Sequence, residues 1–165
     1  VALAKACALG QRQKENQPMP RIDLDGIAQS NSTGYPGDHA AIVAGRWVRR
    51  LGPASGLSDF GVSHVVLKPG AASSHRHWHE DEDEFLVLLA GQAVLVEEGA
   101  RTPLAPGDMA AFPKGEPNGH HLLNESDVDC VFLAFGRPPA GDCHYADIDL
   151  LWSGGAYRHK DGSDY

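Results

Sequence analysis

Five of the nine histidines in this chain fall in two short stretches. The first, SSHRHWHEDEDEF at 73–85, sets His75, His77 and His79 at alternate positions and follows them with five consecutive acids, Glu80 to Glu84. The second, PKGEPNGHHLLN at 113–124, carries His120 and His121. Alternate residues of a strand point to one side of it. Three imidazoles would therefore share a face, and one of the acids would return to that face after a turn. Adjacent residues face opposite ways, so only one of His120 and His121 can join them. Imidazole nitrogens mixed with carboxylate oxygens suit a divalent transition metal (Fe, Mn, Zn, Ni, Co or Cu) rather than Ca or Mg, which prefer oxygen alone. The residue types leave open which histidines and which acid would bind.

The elements that must position these groups read as short strands closed by turn residues. Candidates are AAIVAGRWVRRL (40–51), FGVSHVVLKPG (60–70), ASSHRHWH (72–79), EFLVLLAG (84–91), QAVLVEEG (92–99), DMAAFPKG (108–115), GHHLLNES (119–126) and DCVFLAFG (129–136). Most are rich in Val, Leu or Phe and end in Gly, Pro, Asn or Asp, which predicts an all-β sandwich or barrel. The abundance of glycine and proline, 19 and 11 residues, fits many short elements. Residues 1–20, ending in QRQKENQPMP, read as an arm or linker ahead of a single domain over 21–165. In EFLVLLA both alternating faces are apolar, so its outer side is expected to be covered, and a sheet-mediated homodimer is the expectation.

Motif spacing resolves the open choices through a resemblance. His77-Trp78-His79, four residues, Glu84, six residues and Gly91 resemble the first motif of the cupins. The alternative phase, His75-Arg76-His77 with Glu82, would require glycine at 89, where Leu89 stands. Gly107, five residues and Pro113-Lys114-Gly115, then His120, three residues and Asn124, resemble the second motif. Two departures are an extra residue between Gly70 and His77, and four residues rather than two between Gly115 and His120. The likeness spans roughly residues 40–136 by element order, and the chain is similar to small bacterial single-domain cupins. It implies a double-stranded β-helix, or jelly-roll barrel, with its motif core at 60–136 and a tail over 137–165. It also implies a metal held by His77, His79, Glu84 and His120. His75 then lies on the ligand face but one pair further out, as a candidate partner of the ligands. Trp78 and His121 should face away from the metal, Glu80 to Asp83 should form a solvated turn, and the scatter of His144, Asp147 and Asp149 reads as surface.

A centre of three histidines and one glutamate leaves positions open, as catalytic sites do, whereas structural zinc sites close with four protein ligands and usually include cysteine. An Fe-type dioxygenase acting on a small organic molecule inside the barrel is the first expectation. A non-catalytic ligand-binding or sensing module is the second. A metal-dependent sugar isomerase ranks lower, because few basic residues flank the motifs. The formal net charge of -8 gives nucleic acid and anionic membranes no electrostatic attraction. No apolar run approaches the roughly 20 residues of a membrane span. Three dispersed cysteines, Cys7, Cys130 and Cys143, fit a reducing, cytoplasmic setting rather than a disulfide framework. The opening VALAKACALG lacks the basic start of a secretory leader.

Overall fold

A computed structural model describes residues 21–137 and 140–165, so the arm read at 1–20 lies outside the described residues. Twelve strands follow a 3-10 turn at Gly37–Val43. They are β1 (Arg46–Arg50), β2 (Gly61–Leu67), β3 (His77–His79), β4 (Glu84–Ala90), β5 (Ala93–Glu97), β6 (Ala100–Leu104), β7 (Met109–Phe112), β8 (His121–Leu123), β9 (Cys130–Gly136), β10 (Cys143–Tyr145), β11 (Leu151–Ser153) and β12 (Ala156–Arg158). A single helical turn, Leu51–Ala54, links β1 to β2.

One face is a five-stranded antiparallel sheet in the order β1-β2-β9-β4-β7. The other is built from two smaller sheets, β6-β5-β8 and β12-β11-β10-β3. Isolated bridges from Ala72 to Leu123 and from His77 to His120 join these two across β8 and β3. The main core lies between the faces: Val65, Leu67, Leu86, Leu88 and Phe132 from the large sheet meet Leu95, Leu104 and Leu122 from the small one. Alternation does this directly. Glu84, Leu86 and Leu88 turn inward, while Phe85 and Leu89 remain exposed on the outer side. A second cluster, Tyr35, Val43, Cys143, Tyr145 and Leu150, fills the end of the barrel beneath β10.

Two residues of the sequence motifs have clear structural work. Gly91 takes φ 73°, and a Cβ there would lie 2.3 Å from the Asp129 carbonyl, so the end of β4 can pack on the loop before β9 only with glycine. Asn124 is fully buried. Its amide donates to the Leu67 carbonyl at 2.9 Å and the Val128 carbonyl at 2.8 Å, while its oxygen accepts from the Ser126 amide at 3.0 Å. It ties the β8–β9 loop to β2.

Several boundaries differ from those read in the sequence. The stretch 72–79 is a strand only over His77–His79, because residues 72–76 bond irregularly to β8 and to the loops beside it. The apolar start of 40–51 lies largely in the 3-10 turn, and the strand begins at Arg46. Strand β6 carries Pro103, which its edge position tolerates. The segment read as a tail contributes β10, β11 and β12, each three residues long and too short to show a period. Among the described residues no helix is long and apolar enough to cross a membrane.

Candidate metal centre

His77 and His79 leave one side of β3, Glu84 opens β4 after a four-residue turn, and His120 sits just ahead of β8. Their side chains meet at one atom. Oε2 of Glu84 lies 3.0 Å from His120 Nε2, 3.5 Å from His79 Nε2 and 3.6 Å from His77 Nε2. The other ring nitrogens are each engaged. Nδ1 of His77 donates to the His75 carbonyl at 2.9 Å and lies 3.1 Å from Ser74 Oγ. Nδ1 of His120 donates to the Asn118 carbonyl at 3.3 Å. Nδ1 of His79 stands 3.3 Å from Oε2 of Glu82. Partners of this kind on Nδ1 fix the tautomer that leaves the Nε2 lone pair free. The Phe112 ring stacks on His120 at 3.6 Å between centroids and holds its orientation.

Ligand-forming atoms of His77, Glu84 and His120 all lie within 4.8 Å of one another, close enough to hold a metal ion. His77 and His79 form a second such set with Cys143. The four residues implied by the motifs are thus brought together through Glu84, while His79 also leans toward a thiol that spacing did not indicate.

The electrostatics are those of a tightly coupled cluster. Burial alone would hinder ionisation of Glu84, but contacts with His120, His77 and His79 outweigh it and hold the carboxyl well below its usual range. Burial also disfavours the charged form of His79, yet hydrogen bonding with Cys143 and Glu84 prevails and raises it to about 10. In His120 burial dominates and the pKa falls.

Three sequence expectations are corrected. The His75 side chain does not join the converging ligand atoms. It lies ahead of β3, donates from Nε2 to the His39 carbonyl at 2.9 Å and packs edge-on against Tyr35, so only its own carbonyl supports His77. The run Glu80–Asp83 is not uniformly solvated: the Glu82 side chain is 11% exposed and turns back beneath His79, and burial raises its pKa. The segment read as a tail over 137–165 carries three strands, although His144, Asp147 and Asp149 within it do lie at the surface. In the β10–β3 register Cys143 stands opposite His79 and Tyr145 opposite His77, which puts Cys143 and Tyr145 on the ligand side. No spacing rule reaches them; only the pairing of distant strands does. Trp78 does face away, stacked on His144 at 4.3 Å, and His121 bonds the Ser74 carbonyl instead of the cluster.

Two openings reach the cluster. A cavity of about 50 Å³ is lined by His79, Glu82, Glu97, Phe112, Asn118 and His120. An open cleft of about 540 Å³ at the strand ends contains Glu84, the rings of Phe60, Phe85, Phe112 and Phe135, and Arg137.

Known proteins support the same architecture. The family described as "Cupin domain" matches residues 63–136. A solved sugar phosphate isomerase from a cupin superfamily of Silicibacter pomeroyi is 42% identical, covering 88% of this chain and 96% of its own, with a TM-score of 0.84. A solved putative sugar phosphate isomerase from Acidithiobacillus ferrooxidans is 28% identical over 68% of this chain and 74% of its own, with a TM-score of 0.63. An oxalate-binding protein of Thermotoga maritima is 33% identical over 72 residues, and the match spans 44% of this chain and 57% of that protein's length. With the paired histidine–glutamate motifs and the two-faced barrel, these similarities establish that the chain belongs to the cupin superfamily.

Proposed function

We propose that His77, His79, Glu84 and His120 hold one divalent transition metal. On that centre the protein acts as a Lewis-acid enzyme that shifts a proton between neighbouring carbons of a small, oxygen-bearing organic anion. The observation that carries this reading is the convergence of three Nε2 atoms on one Glu84 oxygen, each with its Nδ1 tied back. That donor set fits a first-row metal and leaves sites for exchangeable ligands. When bound, such an ion polarises a carbonyl or enediol oxygen.

The chain's own residues do the remainder. The cleft over Glu84 receives the substrate, the Phe112 ring beside it helps to exclude water, and Arg137 at its rim pairs with the anionic group. Glu82, whose carboxyl burial raises, is the proton-holding group beside His79. The name carried by the 42%-identical relative, a sugar phosphate isomerase, supports this class of chemistry and moves it above the oxygenase expected from the sequence. The phenylalanine-lined cleft favours the second reading, an Fe-type dioxygenase acting on an aromatic or enolised molecule.

Incubating metal-loaded protein in D2O with a panel of hydroxy-carbonyl acids and sugar phosphates tests the first reading. Incorporation of deuterium at carbon, absent in Glu84→Gln, is expected. Oxygen uptake by anaerobically iron-loaded protein without such exchange would replace it with the second. A ligand-induced rise in melting temperature with neither exchange nor uptake would assign a binding or sensing role. The outer side of β4, with Phe85 and Leu89 exposed, is the surface on which we expect a second copy to dock. A monomer mass in light scattering at micromolar concentration would contradict that.

A further inference from the structure

We infer that Cys143 is an additional, soft donor to this centre, so that the metal sits in a mixed imidazole–carboxylate–thiolate environment. The inference rests on the metal reading above and extends it to a residue beyond the stretch that matches the cupin family, which ends at 136. Three observations carry it. In the antiparallel pairing of β10 with β3, Cys143 is directly opposite His79, and opposed residues project to the same side. Its Sγ lies within 4.8 Å of ligand atoms of both His77 and His79. Its side chain is buried and free of any disulfide among the described residues.

The spacing within the set of His77, His79 and Cys143 suits a metal. With metal–nitrogen bonds of about 2.1 Å and metal–sulfur bonds of about 2.3 Å, two donors on one ion stand roughly 3 to 4.5 Å apart. The set containing Cys143 shares His77 with the set containing Glu84 and His120. The thiol therefore stands on the His77–His79 side of the cluster, where it would add to the donors that Glu84 and His120 supply. Cys130 supplies an internal contrast: it is fully buried in the apolar core among such residues as Leu67 and Phe132, and it belongs to no donor set among the described residues. Both cysteines pack in apolar clusters, but Cys143 also has imidazole nitrogens within ligand range. A thiolate donor shifts preference toward Zn, Co, Ni or Cu and away from Mn.

Cobalt loading of chelator-stripped protein tests this. The expected result is a near-ultraviolet sulfur-to-cobalt charge-transfer band in the native protein and in Cys130→Ser, lost in Cys143→Ser while stoichiometric cobalt remains bound. If Cys143→Ser does not fold, X-ray absorption of the zinc-loaded native protein decides, with a sulfur scatterer at about 2.3 Å expected. Stoichiometric metal with only nitrogen and oxygen scatterers would overturn the role of Cys143 and leave the histidine–glutamate centre standing. Failure of the native protein to take up cobalt or zinc would overturn both.

Discussion

Glu82 offers the sharpest test of how the centre is held. Its Oε2 lies 3.3 Å from His79 Nδ1, its side chain is 11% exposed, and its Oε1 sits so close over Gly136 that a Cβ there would be 2.6 Å away. Two contributions can be separated. As an acceptor, Glu82 fixes the tautomer that points the His79 lone pair inward; as a charge, it raises the basicity of that ring. Glu82→Gln keeps an acceptor and removes the charge, whereas Glu82→Ala removes both. Loss of a partner behind a ligating histidine weakens metal binding by about 10- to 100-fold, or about 1.4 to 2.7 kcal/mol. Glu82→Gln is therefore expected near the tenfold end and Glu82→Ala near the hundredfold end. Glu80→Gln is the control. That side chain is half-exposed and pairs with His144 on the outer face, so it should change affinity by less than about twofold. Competition against a chromophoric chelator at fixed pH and salt measures all three. Wild-type affinity in both Glu82 variants, or an equal loss in Glu80→Gln, would show that Glu82 does not act through His79.

Other expectations follow from the same coordinates. His79 is raised from 6.5 to about 10, so its contribution to stability is fully present below about pH 6.5 and is lost as pH rises through 10. His120 and His121 are depressed by burial, so theirs is present above 6.5 and lost as pH falls. Chelator-treated protein should thus melt highest near pH 6.5 and lose about 5 °C or more by pH 9.5, while the metal-loaded form shows no such alkaline fall; a flat alkaline limb without metal would refute the coupling of His79 to Cys143 and Glu84. Asn124→Ala strands the Leu67 carbonyl beside a fully buried position, leaves the Val128 carbonyl with the Ser126 hydroxyl, and should cost about 2 kcal/mol in urea unfolding; a loss under 1 kcal/mol would mean that water replaces the amide. Gly91→Ala meets both a positive φ and a backbone oxygen at 2.3 Å, and should cost at least about 3 kcal/mol by the same assay; an unchanged midpoint would show that the β8–β9 loop yields.

What the sequence discloses about this site depends on how each residue reaches it. His77 and His79 lie two apart on one strand, and their selection together with Glu84, through the spacing to Gly91, is what the resemblance to the first cupin motif implies. His120 is tied to Asn124 in the same way, and Asn124 proves to be a structural anchor rather than a site residue. His75 is misplaced because alternation was extended beyond the three residues of β3. Glu82 could not be separated from its acidic neighbours, since the path of a four-residue turn decides which carboxylate goes inward. Cys143 and Tyr145 were invisible, because a register between strands more than sixty residues apart leaves no periodic trace.

That last contact bears on what the functional unit is. Within the family-matched stretch, β3 is held by the His77–His120 bridge, by the Gly115 amide on the His79 carbonyl, and by little else of its backbone. A three-residue strand with so few backbone bonds gains from pairing on its second edge if it is to hold two imidazoles at ligand spacing against their rotamer entropy. Strand β10 supplies the missing pairing on the other edge, from Cys143 through Tyr145, and the Trp78–His144 stack locks the outer face of the same pair. Beyond it, β11 and β12 and the contact of His39 with Tyr165 close the sheet back onto the segment that carries Tyr35 and His75. The segment read as a tail therefore braces this strand: it pairs with the edge that carries His77 and His79 and places a thiol on their side, adding to the Ser74, His75 and Glu82 contacts that the family-matched stretch supplies.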